Sequence, residues 1–170
     1  MMQINRVIAA TLLLFVAVVQ AGAQVPENCS IEERADPARH VLRCQGGLVI
    51  EIGASTGLGY VEQTDGTLAR VTVKQGAVMV DVTPGGAAPQ IRTPHAIAAV
   101  RGTVYAIEVG DASTAVFVVR GEVDVRHVRG RRSSVVLGAG QGVDAVPGQP
   151  LEVKAWNEPR VRKLLARFGR

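Results

Sequence analysis

The sequence predicts an all-β domain followed by one short amphipathic helix. Apolar residues in the range 48–153 recur at every second position, as in "LVIEI" and "AVMVDV". This is the period of a strand that buries one face. Gly, Asp, Gln and Pro interrupt these runs at short intervals, as turns between strands do. A helical period of apolar residues appears only after Trp156.

Residues 1–23 are predicted to be a secretory signal peptide. A short, positively charged start precedes an apolar run over residues 7–19, and Ala21 and Ala23 occupy the positions that a signal peptidase reads. The run is shorter than the ~20 residues of a membrane-spanning helix, and an uncleaved N-terminal anchor is the alternative. We therefore expect an exported, periplasmic protein of bacterial type, with one domain of about 150 residues.

The next segment, residues 24–45, contains both cysteines of the chain, Cys29 and Cys44. A redox-active or metal-binding pair requires closer spacing or further ligands, so the spacing favours a structural disulfide. Disulfides are typical of exported proteins. Such a bridge would hold an otherwise loose segment against the first strand, and closing the loop is worth about 3 kcal/mol.

Residues 46–153 are predicted to form the β-domain, with about ten short strands. Gly46, Gly76 and Gly121 each precede an alternating apolar run, which gives a faint, irregular repeat. Stacked turns of a β-roll or solenoid produce such a pattern, and so does a two-sheet sandwich. The sequence leaves both architectures open.

Residues 154–170 are predicted to contain the helix. Asn157 is a suitable N-cap and Gly169 a suitable stop. The apolar positions follow a helical spacing: Val161, Leu164, Leu165 and Phe168. We expect the helix to cap an open end of the β-domain and to cover an edge. Docking to an acidic membrane surface or to a partner groove is the alternative.

No catalytic, cofactor or metal site is predicted, and we expect a protein that is not an enzyme. The three histidines, at positions 40, 95 and 127, lack the spacing of metal ligands. The glycine-rich "GAGQG" precedes a strand, whereas a phosphate-binding loop precedes a helix. Nucleic acid is not an expected partner because no aromatic residues accompany the arginines.

A basic cluster surrounds Gly130 at the predicted tip of a hairpin. A charged tip keeps a turn soluble and protects a strand edge. Alternatively, the cluster contacts an anionic envelope component: a phosphate, an acidic polysaccharide or a lipid headgroup. The candidate contact residues are Arg126, Arg129, Arg131 and Arg132.

One set of motifs resembles the fingerprint of the FecR domain family. Thr93-Pro94 is followed by Val100-Arg101-Gly102-Thr103, and then by Arg120-Gly121-Glu122. The resemblance extends over about residues 46–146. Turn chemistry accounts for each residue type, so we interpret these motifs as corners between short strands.

Three of the motif residues have a predicted structural role. Pro94 cannot donate a hydrogen bond to a sheet, so it starts a strand or lies at an edge. Gly102 supplies a backbone conformation that is closed to other residues. Arg101 is expected to donate to the carbonyls that the corner leaves without partners.

The resemblance implies a function in binding or signalling. Members of the FecR family include relays between an outer-membrane transporter and a cytoplasmic sigma factor, and those relays also have a cytoplasmic segment and a membrane-spanning helix. We expect this chain to have a signal peptide instead. It would then be a binding or scaffold module for a protein partner or a cell-envelope polymer, or a soluble regulator of such a relay.

Overall fold

The computed structural model describes residues 25–129 and 134–170. These ranges form a mixed sheet of thirteen strands and one helix, α1 (Glu158–Leu165), which a 3-10 turn extends through Phe168. This confirms the predicted fold class. The strands are β1 Cys29–Ala35, β2 Ala38–Cys44, β3 Leu48–Gly53, β4 Gly57–Glu62, β5 Leu68–Val82, β6 Gln90–Arg92, β7 Ala96–Val100, β8 Val104–Val109, β9 Thr114–Arg120, β10 Val123–His127, β11 Ser134–Leu137, β12 Gln141–Ala145 and β13 Lys154–Ala155.

The long strand β5 connects two halves of the sheet. Its N-terminal part pairs with β4 and, in parallel, with β6, after which β7, β10 and β11 follow. We call this the β6 half. Its C-terminal part pairs with β3 and β8, and β9, β12 and β13 follow beyond β8. We call this, together with β1 and β2, the β8 half.

Both halves contribute side chains to one hydrophobic core. The core members come from almost every strand and are fully or nearly fully buried, among them Val71, Val80, Ile91, Ile107, Val125 and Leu137. The architecture therefore combines two alternatives from the sequence: the sheet is curled on itself, as in a roll, and its halves enclose a shared core, as in a sandwich.

The runs "LARVTVK" and "AVMVDV", each predicted as a separate strand, lie in the single strand β5. Gly76, between the two predicted runs, has φ +89°, and a Cβ atom there would lie 2.5 Å from Thr56 Oγ1. Glycine thus allows the strand to pass from one half of the sheet to the other without a turn.

The N-terminal segment forms the hairpin β1–β2, which the sequence did not predict. Cys29 pairs with Cys44 in the register of the hairpin and is bonded to it in the predicted disulfide. β2 also pairs with β3, so the segment belongs to the sheet. The pattern missed β1 because this strand is exposed along nearly its whole length and has no alternating apolar face.

The C-terminal helix begins and ends where the sequence predicted. The Asn157 side chain accepts from the amide of Arg160 at 3.0 Å, and Gly169 ends the 3-10 turn with φ +74°. However, the helix lies across a face of the sheet rather than at an open end. Leu164 and Phe168 pack on outward-facing residues of β5, β8 and β9: Ala77, Met79, Val104, Ala106 and Phe117.

Several arginines of the C-terminal segment pair with carboxylates of the sheet. Arg160 contacts Asp144 and also lies 3.5 Å above the ring of Trp156. Arg167 pairs with Glu108, and Arg170 pairs with Glu51 at 2.8 Å. The apolar face and much of the basic face of the helix are thus directed to its own domain. Docking to a membrane or partner, the alternative from the sequence, is not needed to explain them.

Within residues 25–129 and 134–170, no helix has the length and apolar character to cross a membrane. The predicted signal peptide, residues 1–23, lies outside the described residues.

Candidate functional site

Two neighbouring corners transfer the chain between the halves of the sheet. β7, in the β6 half, ends at Val100, and β8, in the β8 half, begins at Val104. β9 ends at Arg120, and β10 returns to the β6 half at Val123. The predicted Arg101-Gly102 and Arg120-Gly121 motifs therefore lie at corners, and the two corners are in contact. Thr103 Oγ1 is 2.9 Å from the carbonyl of Glu122.

Glycine is required at both corners. Gly102 has φ +59°, and a Cβ atom there would lie 2.9 Å from Cα of Pro84. Gly121 has φ +85°, and its Cβ atom would lie 2.8 Å from Thr103 Oγ1. A residue with a side chain would be strained at this positive φ and would collide with the neighbouring atoms, so each position requires glycine. The corners are therefore structural parts of the fold.

The predicted role of Arg101 is wrong. Its side chain is exposed, and the side chain that donates to the corner carbonyls belongs to a different residue. Thr103 has this role instead, since its hydroxyl lies 3.0 Å from the carbonyl of Arg101 and 2.9 Å from that of Glu122. A short side chain on the corner reaches these carbonyls directly, whereas the long arginine extends into solvent.

The Thr93-Pro94 motif forms a tight turn between β6 and β7, at the opposite end of β7 from the Arg101-Gly102 corner. Thr93 Oγ1 accepts from the amide of Ala96 at 2.9 Å and lies 2.8 Å from Thr114 Oγ1. The next residue, His95, has its Nδ1 atom 3.1 Å from the same Thr114 hydroxyl. Pro94 stands between the strands, where no amide donor is needed. The turn thus fixes the position of the His95 ring.

An open groove of about 670 Å³ lies beside this turn. Its walls come from β5, from the turn between β6 and β7, from the end of β10 and from the Pro147-Gly148 loop. No acidic side chain is among the described residues that line it. Five lining residues carry or can carry positive charge: Lys74, Arg92, His95, His127 and Arg129. We call this the basic groove.

Two of the four arginines predicted as contacts, Arg126 and Arg129, lie within the described residues, and they are on different sides of the fold. Arg129 lines the basic groove, whereas Arg126 is exposed on the other face of β10 because neighbouring strand residues alternate. Arg131 and Arg132 lie outside the described residues. The pairing of β10 with β11, with Arg126 opposite Ser134, confirms the predicted hairpin.

Sequence analysis missed the other basic residues of the groove. Lys74 and Arg92 belong to different strands, and neither lies in a charged run. The histidines are distant from one another in sequence, yet His95 and His127 line the same groove. The only signal in the sequence was the position of Arg92 directly before Thr93-Pro94.

A gap in the strand pairing of β5 lies beside the basic groove, which Val73 and Lys74 help to line. The ladder with β6 ends at the pair Thr72 and Arg92, and the ladder with β8 begins at the pair Gly76 and Val109. Residues 73–75 lie between these ladders. On this side they have no partner strand among the described residues, although β4 pairs with them on the other side.

The groove can bind an anion by charge, and it also offers apolar contact. Pro94, Val128 and Pro147 lie among the basic residues. Among the described residues, no group of three His, Cys, Asp or Glu side chains is placed to hold a metal ion. Recognition of a charged and partly apolar ligand is the chemistry that this lining supports.

The family model described as FecR protein matches residues 34–124, more than half of the chain. The chain belongs to the FecR family. This confirms the resemblance seen in the corner motifs. The matched range contains both corners of this FecR protein and the Thr93-Pro94 turn, whereas the C-terminal helix follows it.

Two crystal structures of a "putative anti-sigma factor" from Parabacteroides distasonis have a similar fold. One has a TM-score of 0.59 and 21% identity, and the match covers 75% of this FecR protein and 60% of that chain. The other has a TM-score of 0.60 and 19% identity, with coverage of 81% and 64%. The chain thus spans less than two thirds of those proteins. No curated protein matches it.

Proposed function

We propose that this FecR protein is a non-catalytic regulator in a bacterial signalling relay and that it acts by binding a protein partner. The family match carries the proposal, since it spans residues 34–124 and includes the turn that forms one wall of the basic groove. The proteins of similar fold support it, because their descriptions name an anti-sigma factor.

We also propose that the protein acts in the periplasm. The Cys29–Cys44 disulfide fits an oxidising compartment. The predicted signal peptide at residues 1–23 agrees with export. In the periplasm, the domain would contact the relay through its surface rather than through a transmembrane segment within the described residues.

Deletion of the gene in the native bacterium tests the regulatory function. We expect a defined set of transcripts to change, and a plasmid copy of the wild-type gene to restore them. In-cell photo-crosslinking from exposed positions such as Ile31 and Val136 identifies the partner. Deletion of a true partner should change the same transcripts. A deletion that leaves transcription unchanged under all growth conditions tested would overturn the proposal.

A second candidate function is binding of an anionic envelope polymer. The observation that favours it is the basic groove, whose described lining has no acidic side chain. Retention of the purified protein on an immobilised acidic polysaccharide, strong at low salt and lost at high salt, would support it. A regulator that recognises only a protein would pass through the same column.

A further inference from the structure

We infer that the basic groove is the docking site for an extended, acidic peptide segment of the protein partner, and that this segment pairs with the exposed residues Lys74 and Gln75 of β5. The inference rests on the proposed function in one respect, that the chain binds a protein. It adds the place of binding and the chemistry of the bound segment.

The charge of the groove selects an acidic occupant. Its basic side chains come from separate elements: Lys74 from β5, Arg92 from β6, His95 from the following turn and Arg129 from beyond the end of β10. Folding brings these residues to one concave surface, where their like charges repel one another. A bound anion would offset this repulsion. Opposite charge on a partner would raise the association rate and fix its orientation.

Two of the groove residues are held in place before any ligand binds. His95 Nδ1 is 3.1 Å from the Thr114 hydroxyl. His127 Nε2 is 2.9 Å from the carbonyl of Gln149, and because that oxygen only accepts, Nε2 donates. Side chains that are already ordered lose less conformational entropy on binding, so the groove is preorganised for its ligand.

The gap in β5 favours a peptide over a polysaccharide. Between its ladders with β6 and β8, β5 leaves residues 73–75 without a strand partner on the groove side among the described residues, and of these Lys74 and Gln75 are exposed. An extended peptide can supply amides and carbonyls at the spacing of a strand, and this is a common mode of peptide recognition. A polysaccharide can supply negative charge, but it has no amides and carbonyls at the spacing of a strand.

The apolar residues of the groove favour a peptide in which acidic and apolar residues alternate. Pro94 and Val128 lie among the basic side chains and are accessible. In an extended peptide, successive side chains point to opposite sides. A segment that alternates acidic and apolar residues would therefore place carboxylates near the arginines and its apolar side chains against this surface.

Peptide binding to the full-length purified protein tests the inference. The probe is a fluorescent ten-residue peptide of alternating glutamate and valine, measured by fluorescence anisotropy at low salt. The groove variant is the double substitution Arg92→Gln and Arg129→Gln. The matched control is Arg126→Gln, which removes an exposed arginine of β10 that does not line the groove. Circular dichroism checks that each variant is folded.

We expect the groove variant to bind the peptide at least tenfold more weakly, and Arg126→Gln to change binding less than twofold. A peptide with glutamine in place of glutamate should also bind at least tenfold more weakly. N-methylation of alternate peptide amides should weaken binding by a similar factor, because it removes donors to β5.

Three results would overturn the inference: equal binding by the groove variant and wild type, equal binding by the N-methylated peptide, or retention of an acidic polysaccharide without binding of the peptide. These results are distinguishable from failure of the proposed function. If gene deletion and crosslinking still identify a protein partner whose capture does not depend on Arg92 and Arg129, only the groove assignment fails.

Discussion

The hydroxyl of Thr103 lies 2.9 Å from the carbonyl of Glu122 and joins two corners that are 19 residues apart in the chain. Thr103 is fully buried, and its own carbonyl accepts from the amide of Val82 at 3.0 Å. One residue thus links β5, the corner before β8 and the corner before β10. The paired glycine corners of this FecR protein depend on this link.

We predict that Thr103→Val destabilises the protein by about 1–3 kcal/mol, because the isosteric change leaves nearby carbonyls without their donor. Urea denaturation followed by circular dichroism measures the free energy of unfolding. Thr64→Val is the matched control at an exposed turn position and should change it by less than about 0.5 kcal/mol. Equal effects of the two substitutions would contradict the role of the Thr103 hydroxyl.

Gly121→Ala should destabilise the protein more than Gly148→Ala. Both glycines have a positive φ, +85° and +80°, so both substitutions introduce backbone strain of about 1–2 kcal/mol. Only at Gly121 would the new Cβ atom also meet a neighbour, Thr103 Oγ1 at 2.8 Å, whereas nothing lies within 4 Å at Gly148. Thermal unfolding of both variants compares them, and an equal loss would show that the contact at the corner is unimportant.

Tyr105→Phe is expected to leave the stability unchanged or to raise it by about 1 kcal/mol. Tyr105 is fully buried, and its hydroxyl has no hydrogen-bond partner among the described residues. An unsatisfied buried hydroxyl is costly, so its removal carries no penalty. Burial also raises the pKa of Tyr105, and absorbance titration should show its ionisation only when the protein unfolds. A loss above about 1 kcal/mol in the phenylalanine variant would indicate a hidden partner.

The Cys29–Cys44 disulfide should be complete in protein purified from an oxidising compartment. Mass spectrometry after alkylation without reductant should detect no modified cysteine, and two alkylated thiols would contradict the bridge. The double variant Cys29→Ser and Cys44→Ser should lose about 3 kcal/mol of unfolding free energy, because the open hairpin gains chain entropy when it unfolds.

Asp65 should titrate below its ordinary pKa. The hydroxyl and amide of Thr67 donate to its carboxylate at 2.6 and 2.9 Å, which stabilises the charged form and lowers the pKa. The resulting contribution to stability is present above the ordinary pKa and is lost as the pH falls through the lowered value. Thr67→Val should raise the pKa of Asp65 in an NMR titration, whereas Thr64→Val should not.

Local patterns predicted most of the elements because their causes are local. Alternating apolar runs identified strands such as β10, and the cap at Asn157 and the stop at Gly169 located the helix. Patterns failed where burial did not alternate. β1 is exposed along nearly all its length, and the outward side of β5 is apolar because the helix covers it.

The sequence by itself determined the fold class, the disulfide, the corner glycines and the family, since each depends on residue types at short spacing. Only the tertiary structure decided where the helix lies and which basic residues meet. Lys74, Arg92 and Arg129 line one groove because curling of the sheet around β5 brings three separate elements together. A periodic sequence pattern cannot show that these residues lie together. Their proximity depends on the order in which distant strands pair, not on the order of residues within each strand.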